Sequence, residues 1–103
     1  MGTYVATTNI TPAFREAHFQ ALKRGGKLPE EFAPIVEAHT QYVKDLKAKG
    51  KMLAGGPTVA FTWGVSLLKT DSLEEAIALS ENDPAVKNGL FTDLKVEAWY
   101  HIV

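Results

Sequence analysis

The chain has 103 residues, with 11 Lys and Arg against 12 Asp and Glu, three His and no Cys. Apolar types make up 46% and charged types 22%, an ordinary globular composition that excludes disordered, collagen-like and coiled-coil classes. A net charge of −1 leaves no electrostatic footprint for nucleic acid or an anionic membrane, and the missing thiols exclude disulfides, Cys-ligated zinc, iron–sulfur clusters and thiolate nucleophiles.

Tyr4 to Ile10 alternates, with Tyr4, Ala6, Thr8 and Ile10 on one side, and predicts a strand. Thr11-Pro12 predicts a helix start, Thr as N-cap and Pro at the first helical position. Phe14, His18, Ala21 and Leu22 follow at helical spacing until Arg24-Gly25-Gly26 ends the pattern. Pro29 and Pro34 bracket a connector into a second, stronger helix over 34–49. There Ile35, Val36, His39, Tyr42, Val43 and Leu46 share one face and the lysines lie away from it. Gly50 is the expected αL cap. Lys51 to Ala54 predicts a short strand closing on a Gly55-Gly56-Pro57 turn, followed by an irregular aromatic connector, Thr58 to Trp63, and a strand over 64–69.

Thr70-Asp71-Ser72 opens the next helix, with Ser72 and Glu75 spaced as a capping box and Leu73, Ala76, Ile77 and Ser80 facing inward. Asp83-Pro84 predicts one more helical turn, ended by Asn88-Gly89. The closing strand, Thr92 to Ile102, sets Leu94, Val96, Ala98, Tyr100 and Ile102 against Asp93, Lys95, Glu97, Trp99 and His101.

Apart from the additional helix, the order is strand, helix, strand, strand, helix, strand. This is the α+β, ferredoxin-like βαββαβ pattern, with a four-stranded antiparallel sheet and an extra N-terminal helix. One domain over 1–103 is expected, burying roughly two-thirds of its unfolded surface. Helices on one sheet face leave the other bare, carrying Val5 and Trp99 among polar residues. A second copy around a two-fold axis is the simplest cover for such a patch. The N-terminal residues have neither a basic nor an apolar signal region, and no apolar run approaches the roughly 20 residues of a membrane span, so a cytoplasmic protein is expected.

Several motifs fail on inspection. Gly50 to Gly55 has P-loop spacing, but Gly56-Pro57 stands where Lys-Ser/Thr is required. Gly64-Val65-Ser66 lacks the second glycine of a nucleophile elbow. No two histidines pair at i, i+4, so no metal pair is expected. Acid–base chemistry remains, and His39 interrupts the apolar stripe of the best helix. It reads either as a core histidine bonded to a backbone carbonyl or as a general acid or base. Such a base needs an orienting carboxylate, and Asp83 is the best candidate. Asp83 reads equally as the N-cap of the turn that Pro84 begins. His18, in the weaker helix, reads as structural or surface, and His101 borders the bare face. Phe61 and Trp63 cover either a small apolar ligand or a satellite core. Trp99 reads as interface packing or as a pocket wall.

The ordered set formed by His39, Gly50, Leu53-Ala54-Gly55-Gly56-Pro57, Ser72-Leu73-Glu74-Glu75-Ala76, Asp83-Pro84, Gly89-Leu90, Val96 and Trp99 resembles the YciI-like (YCII-related) family. The resemblance runs from His39 to Trp99. It implies a dimeric α+β barrel, similar in fold to muconolactone isomerases and ferredoxin-like mono-oxygenases, with an active site made of a histidine and an aspartate that map onto His39 and Asp83. One type of member is a dehydrochlorinase of chlorinated hydroxyquinols, in which such a pair assists elimination. Two departures stand out: Ala85 where a bulky aromatic often follows Asp-Pro, and a longer Thr11–Pro34 segment suited to a flap or an extended dimer contact.

The expected function is a homodimeric, cofactor-independent lyase or isomerase acting on a small organic molecule. Its catalytic residues are His39 and Asp83, and Gly56, Pro57, Phe61, Trp63 and Trp99 line the pocket. No metal, nucleic acid or membrane partner is expected. The alternative is a non-catalytic ligand-binding or interaction module on the same barrel. The two readings differ in whether His39 and Asp83 meet beside an accessible cavity or His39 faces a packed core.

Overall fold

The computed structural model describes residues 1–100 and Ile102; the expectation for His101 lies outside the described residues. Four strands, β1 (Gly2–Ile10), β2 (Met52–Pro57), β3 (Trp63–Thr70) and β4 (Phe91–Ala98), join four helices, α1 (Pro12–Lys23), α2 (Ala33–Ala48), α3 (Leu73–Glu81) and α4 (Pro84–Lys87). The strands form one antiparallel sheet in the order β2-β3-β1-β4. This is the α+β class and ferredoxin-like order that the sequence predicts, with α1 and α4 added to the two crossover helices.

Local chemistry sets most boundaries. Thr11 Oγ1 accepts the Phe14 N–H at 3.4 Å and Ser72 Oγ accepts the Glu75 N–H at 3.1 Å, each satisfying a donor that the helix start leaves over. Glu75 reaches back to the Asp71 N–H at 3.0 Å, so the capping box closes one residue earlier than its usual partner. Gly50, at φ +73°, ends the α2 segment where a residue with a Cβ would be strained.

Two predicted boundaries are corrected. Gly55-Gly56-Pro57 is strand, not turn: these residues pair with Ser66, Val65 and Gly64 along an edge, where glycine and proline are tolerated. The turn is instead the Thr58–Thr62 loop. At the other end, β4 stops at Ala98 rather than Ile102; beyond it the Trp99 N–H still reaches the Thr3 carbonyl, while Tyr100 and Ile102 are exposed. A bulge also interrupts β4, where Thr8 opposes both Asp93 and Leu94 and Asp93 takes φ +55°.

The helices cover one sheet face. Beneath α2 and α3 lies a cluster of Ala6, Leu46, Met52, Leu68 and Ala76; beneath α1 and α4 lies a second, of Ile10, Phe14, Ala85 and Leu90. Strand alternation sends Val5, Leu67 and Trp63 to the opposite face, where Trp63 is 46% exposed.

Candidate functional site

A cavity of about 340 Å³ opens along the seam between the two core clusters and is lined by members of both. That volume lies at the small end of the range for ligand pockets, roughly 300–1,000 Å³. β1 and β3 form its floor through Ala6, Thr8, Ile10, Ser66 and Leu68, α2 supplies one wall, and Phe14, His18 and Leu28 close another. Phe14, His18 and Leu28 bring the Thr11–Pro34 segment to the cavity wall.

His39 stands on α2 with a side chain 26% exposed, and Asp83, 15% exposed, caps α4. His39 Nδ1 lies 2.7 Å from Asp83 Oδ1 and 2.9 Å from Oδ2. A carboxylate only accepts, so this contact places the proton on Nδ1 and leaves Nε2 as the basic nitrogen of the neutral ring. Nε2 makes no hydrogen bond among the described residues, and the ring borders the cavity. Asp83 Oδ1 also accepts the Ala85 N–H at 2.9 Å. One carboxylate thus caps α4 and also accepts a hydrogen bond from the imidazole.

Aromatic side chains flank this pair. Phe91 meets the His39 ring edge-on, with centroids 5.2 Å apart. Tyr42 faces the same cavity and donates its hydroxyl to the Leu79 carbonyl at 2.9 Å. Burial, and secondarily the charge of Asp83, raise the Tyr42 pKa above its ordinary 10.0. The unfolded chain then loses this proton first as pH rises, so the contribution of Tyr42 is intact below about pH 10 and is lost above it. Urea unfolding followed across that window is expected to show a smaller alkaline loss of stability in Tyr42→Phe than in the parent chain. Equal losses in the two proteins would remove Tyr42 as the source.

Of the pocket residues expected from sequence, Gly56, Pro57 and Phe61 line the cavity. Trp63 does not; pairing opposite Asn9 turns it to the uncovered face, where it borders a shallow hollow with Thr7, Asn9, Asp93 and Lys95. Trp99 follows the end of β4 outside both hollows and is 40% exposed. Ala85, 2% exposed, packs between Ile10, Phe14 and Leu90 at the cavity wall. Sequence reasoning missed Thr8, Ser66, Phe91 and the placement of His18. Alternation carried a signal for the first two, since Thr8 and Ser66 are polar positions on otherwise apolar inward faces.

Among the described residues no group of three or more His, Asp or Glu side chains is placed to hold a metal ion, and no helix is long and apolar enough to cross a membrane. Among the lining residues only Asp83 carries a fixed charge, and the rest of the polar lining is hydroxyl or imidazole.

Known proteins are similar to this chain in sequence and in fold. The uncharacterized protein YjpA of Bacillus subtilis is 27% identical over 99 residues, covering 96% of this chain and 95% of the relative. The solved structure of 5-chloro-2-hydroxyhydroquinone dehydrochlorinase from Burkholderia phenoliruptrix, in complex with 2,5-dihydroxybenzoquinone, superposes with a TM-score of 0.65 at 25% identity, over 96% of this chain and 94% of that one. The YCII-related domain matches residues 4–100, from the first strand of the sheet to just past the last. On that match the chain belongs to the YCII-related family.

Proposed function

We propose that the protein is an enzyme of lyase or isomerase type that moves a proton on a small organic substrate, with His39 as the acid–base group and Asp83 as the carboxylate that orients it. One observation carries the reading: the His39–Asp83 contact at 2.7 Å stands beside an accessible, mostly apolar cavity rather than within a packed core. In that setting Nε2 takes a proton from the substrate, and Asp83 favours the imidazolium that results. The apolar lining strengthens the same electrostatics by displacing water. The dehydrochlorinase activity in the name of the structural neighbour supports the reaction class, because elimination needs a positioned base.

The uncovered sheet face supports a homodimer in the same reading. Val5, Leu67 and Trp63 lie together there on adjacent antiparallel strands, and a second copy is the simplest cover for them.

The direct test uses the substrate named for the neighbour. Incubation with 5-chloro-2-hydroxyhydroquinone is expected to release chloride faster than the uncatalysed solution, by a factor that disappears in His39→Asn. If no chloride is released, a panel of small cyclic hydroxy compounds followed for proton exchange in heavy water is the wider test. No exchange across the panel would overturn the enzyme reading and favour a binding module.

A further inference from the structure

The contact with Asp83 ties down one atom of the His39 ring, Nδ1, and leaves the ring plane to be set by something else. Proton transfer depends on that plane, because Nε2 has to face the reacting atom. Among the described residues one aromatic ring stands against His39: Phe91, with centroids 5.2 Å apart and planes 85° from parallel. Phe91 is half-buried, lines the cavity, packs against the cluster of Ile10 and Leu90, and lies 6.2 Å from the Phe14 ring. A perpendicular ring backed in this way limits rotation of the imidazole without hydrogen-bonding either nitrogen.

Phe91 reaches the inner face because β4 is irregular. Val96 and Leu94 face inward two residues apart, but the next inward residue, Phe91, stands three further back. The additional residue is Asp93, held at φ +55°, in the left-handed region that Gly, Asn and Asp enter more readily than other residues. Its Oδ2 accepts the Asn9 side-chain amide at 3.1 Å and the Thr92 hydroxyl at 3.1 Å. Asn9 lies on β1 opposite Thr92, so this clamp joins both strands at the bulge. Asp93 lines no part of the cavity and borders the shallow hollow on the far face of the sheet. Core packing therefore does not account for a strained residue bonded twice at that place.

We infer that Phe91 is a positioning residue for His39, and that the Asp93 bulge, clamped from the far face of the sheet by Asn9 and Thr92, holds Phe91 in place. Asp83 sets which nitrogen carries the proton, and Phe91 sets where the other nitrogen faces. A bulge that adds one residue to a strand re-aims every side chain before it, and here the side chain re-aimed is the one against the imidazole. The role rests on the reading of His39 as the acid–base group, and it adds to that reading a residue that never exchanges a proton.

The experiment uses the full chain with isotope-labelled histidines and follows relaxation of the His39 ring carbons beside chloride release from 5-chloro-2-hydroxyhydroquinone. In Phe91→Leu the ring is expected to gain fast motion while its nitrogen signals still report a proton on Nδ1 in the neutral form. Turnover is expected to fall about 10²-fold through kcat with KM little changed, the cost of a misplaced reacting group. Phe91→Tyr, which keeps a ring, is expected to return the relaxation to that of the parent. Asp93→Val loses both hydrogen bonds and resists positive φ, so it is expected to loosen the His39 ring from across the sheet. Asn9→Ala combined with Thr92→Val removes the clamp without altering Asp93 and serves if Asp93→Val fails to fold. A His39 ring as rigid in Phe91→Leu as in the parent would overturn the positioning role, as would full turnover with a loosened ring. A ring loosened in Phe91→Leu but by neither bulge variant would overturn the part given to Asp93. The relaxation needs no substrate, so a parent chain that releases no chloride counts against the proposed reaction while the ring motion still decides Phe91.

Discussion

Replacing His39 by asparagine is expected to lower turnover by about 10²–10⁴-fold, the range that a positioned acid–base group contributes, with the fold retained. The retention follows from where the residue stands. His39 is a quarter exposed at a cavity edge and belongs to neither buried cluster, so its loss opens no new void in the core. Asparagine keeps an amide within reach of Asp83, which spares the carboxylate the cost of losing its partner. The measurement pairs turnover with thermal unfolding on the same preparation. A variant that unfolds at the parent temperature and has lost turnover supports the proton-transfer role. A variant that keeps turnover removes His39 from the mechanism, whatever its stability.

The sequence carried the element order because most boundaries here are made by local chemistry. Thr11-Pro12, Ser72 with Glu75, Asp83-Pro84 and Gly50 each act within one helical turn of their own position, and the caps in the structure are those residues. Strand ends depend on pairing, which is not local. Gly55-Gly56-Pro57 has the composition of a turn, yet it is held as strand because β3 offers partners along its whole length. The alternation after Ala98 continues in the sequence, but β4 ends there.

The candidate site shows the same division. His39 was legible as a polar interruption of an apolar stripe, and Asp83 as an Asp-Pro start, because both signals are short-range. Their contact joins residues 44 apart and depends on α2 and α4 packing side by side, which no spacing records. Phe91 was hidden by the bulge at Asp93. Strict alternation from Leu94 would place Phe91 on the outer face, and the extra residue returns it to the inner face beside His39. Trp63 failed in the opposite sense. Its place in the aromatic connector suggested a cover for a small ligand or a satellite core, but its register opposite Asn9 turned it outward.

Asp83 separates cap from chemistry in one series of variants. Asp83→Ala is expected to lose both functions: about 1 kcal/mol of stability from the missing cap, and about 10²–10⁴-fold in turnover from a misoriented imidazole. Asp83→Asn keeps the cap, since its amide oxygen still accepts the Ala85 N–H that Oδ1 accepts at 2.9 Å. The amide nitrogen then takes the place of Oδ2, 2.9 Å from Nδ1, and donates a hydrogen bond there. That reverses the contact. The ring is held with its proton on Nε2, the atom that has to be basic, so turnover falls although shape and stability hardly change. The readouts are denaturant midpoint and turnover for all three proteins, with the histidine nitrogen signals reporting the tautomer. Stability lost only in Asp83→Ala, with turnover lost in both variants, is the expected pattern. Full turnover in Asp83→Asn would reduce Asp83 to a helix cap and leave His39 without the orienting carboxylate on which the proposed proton transfer depends.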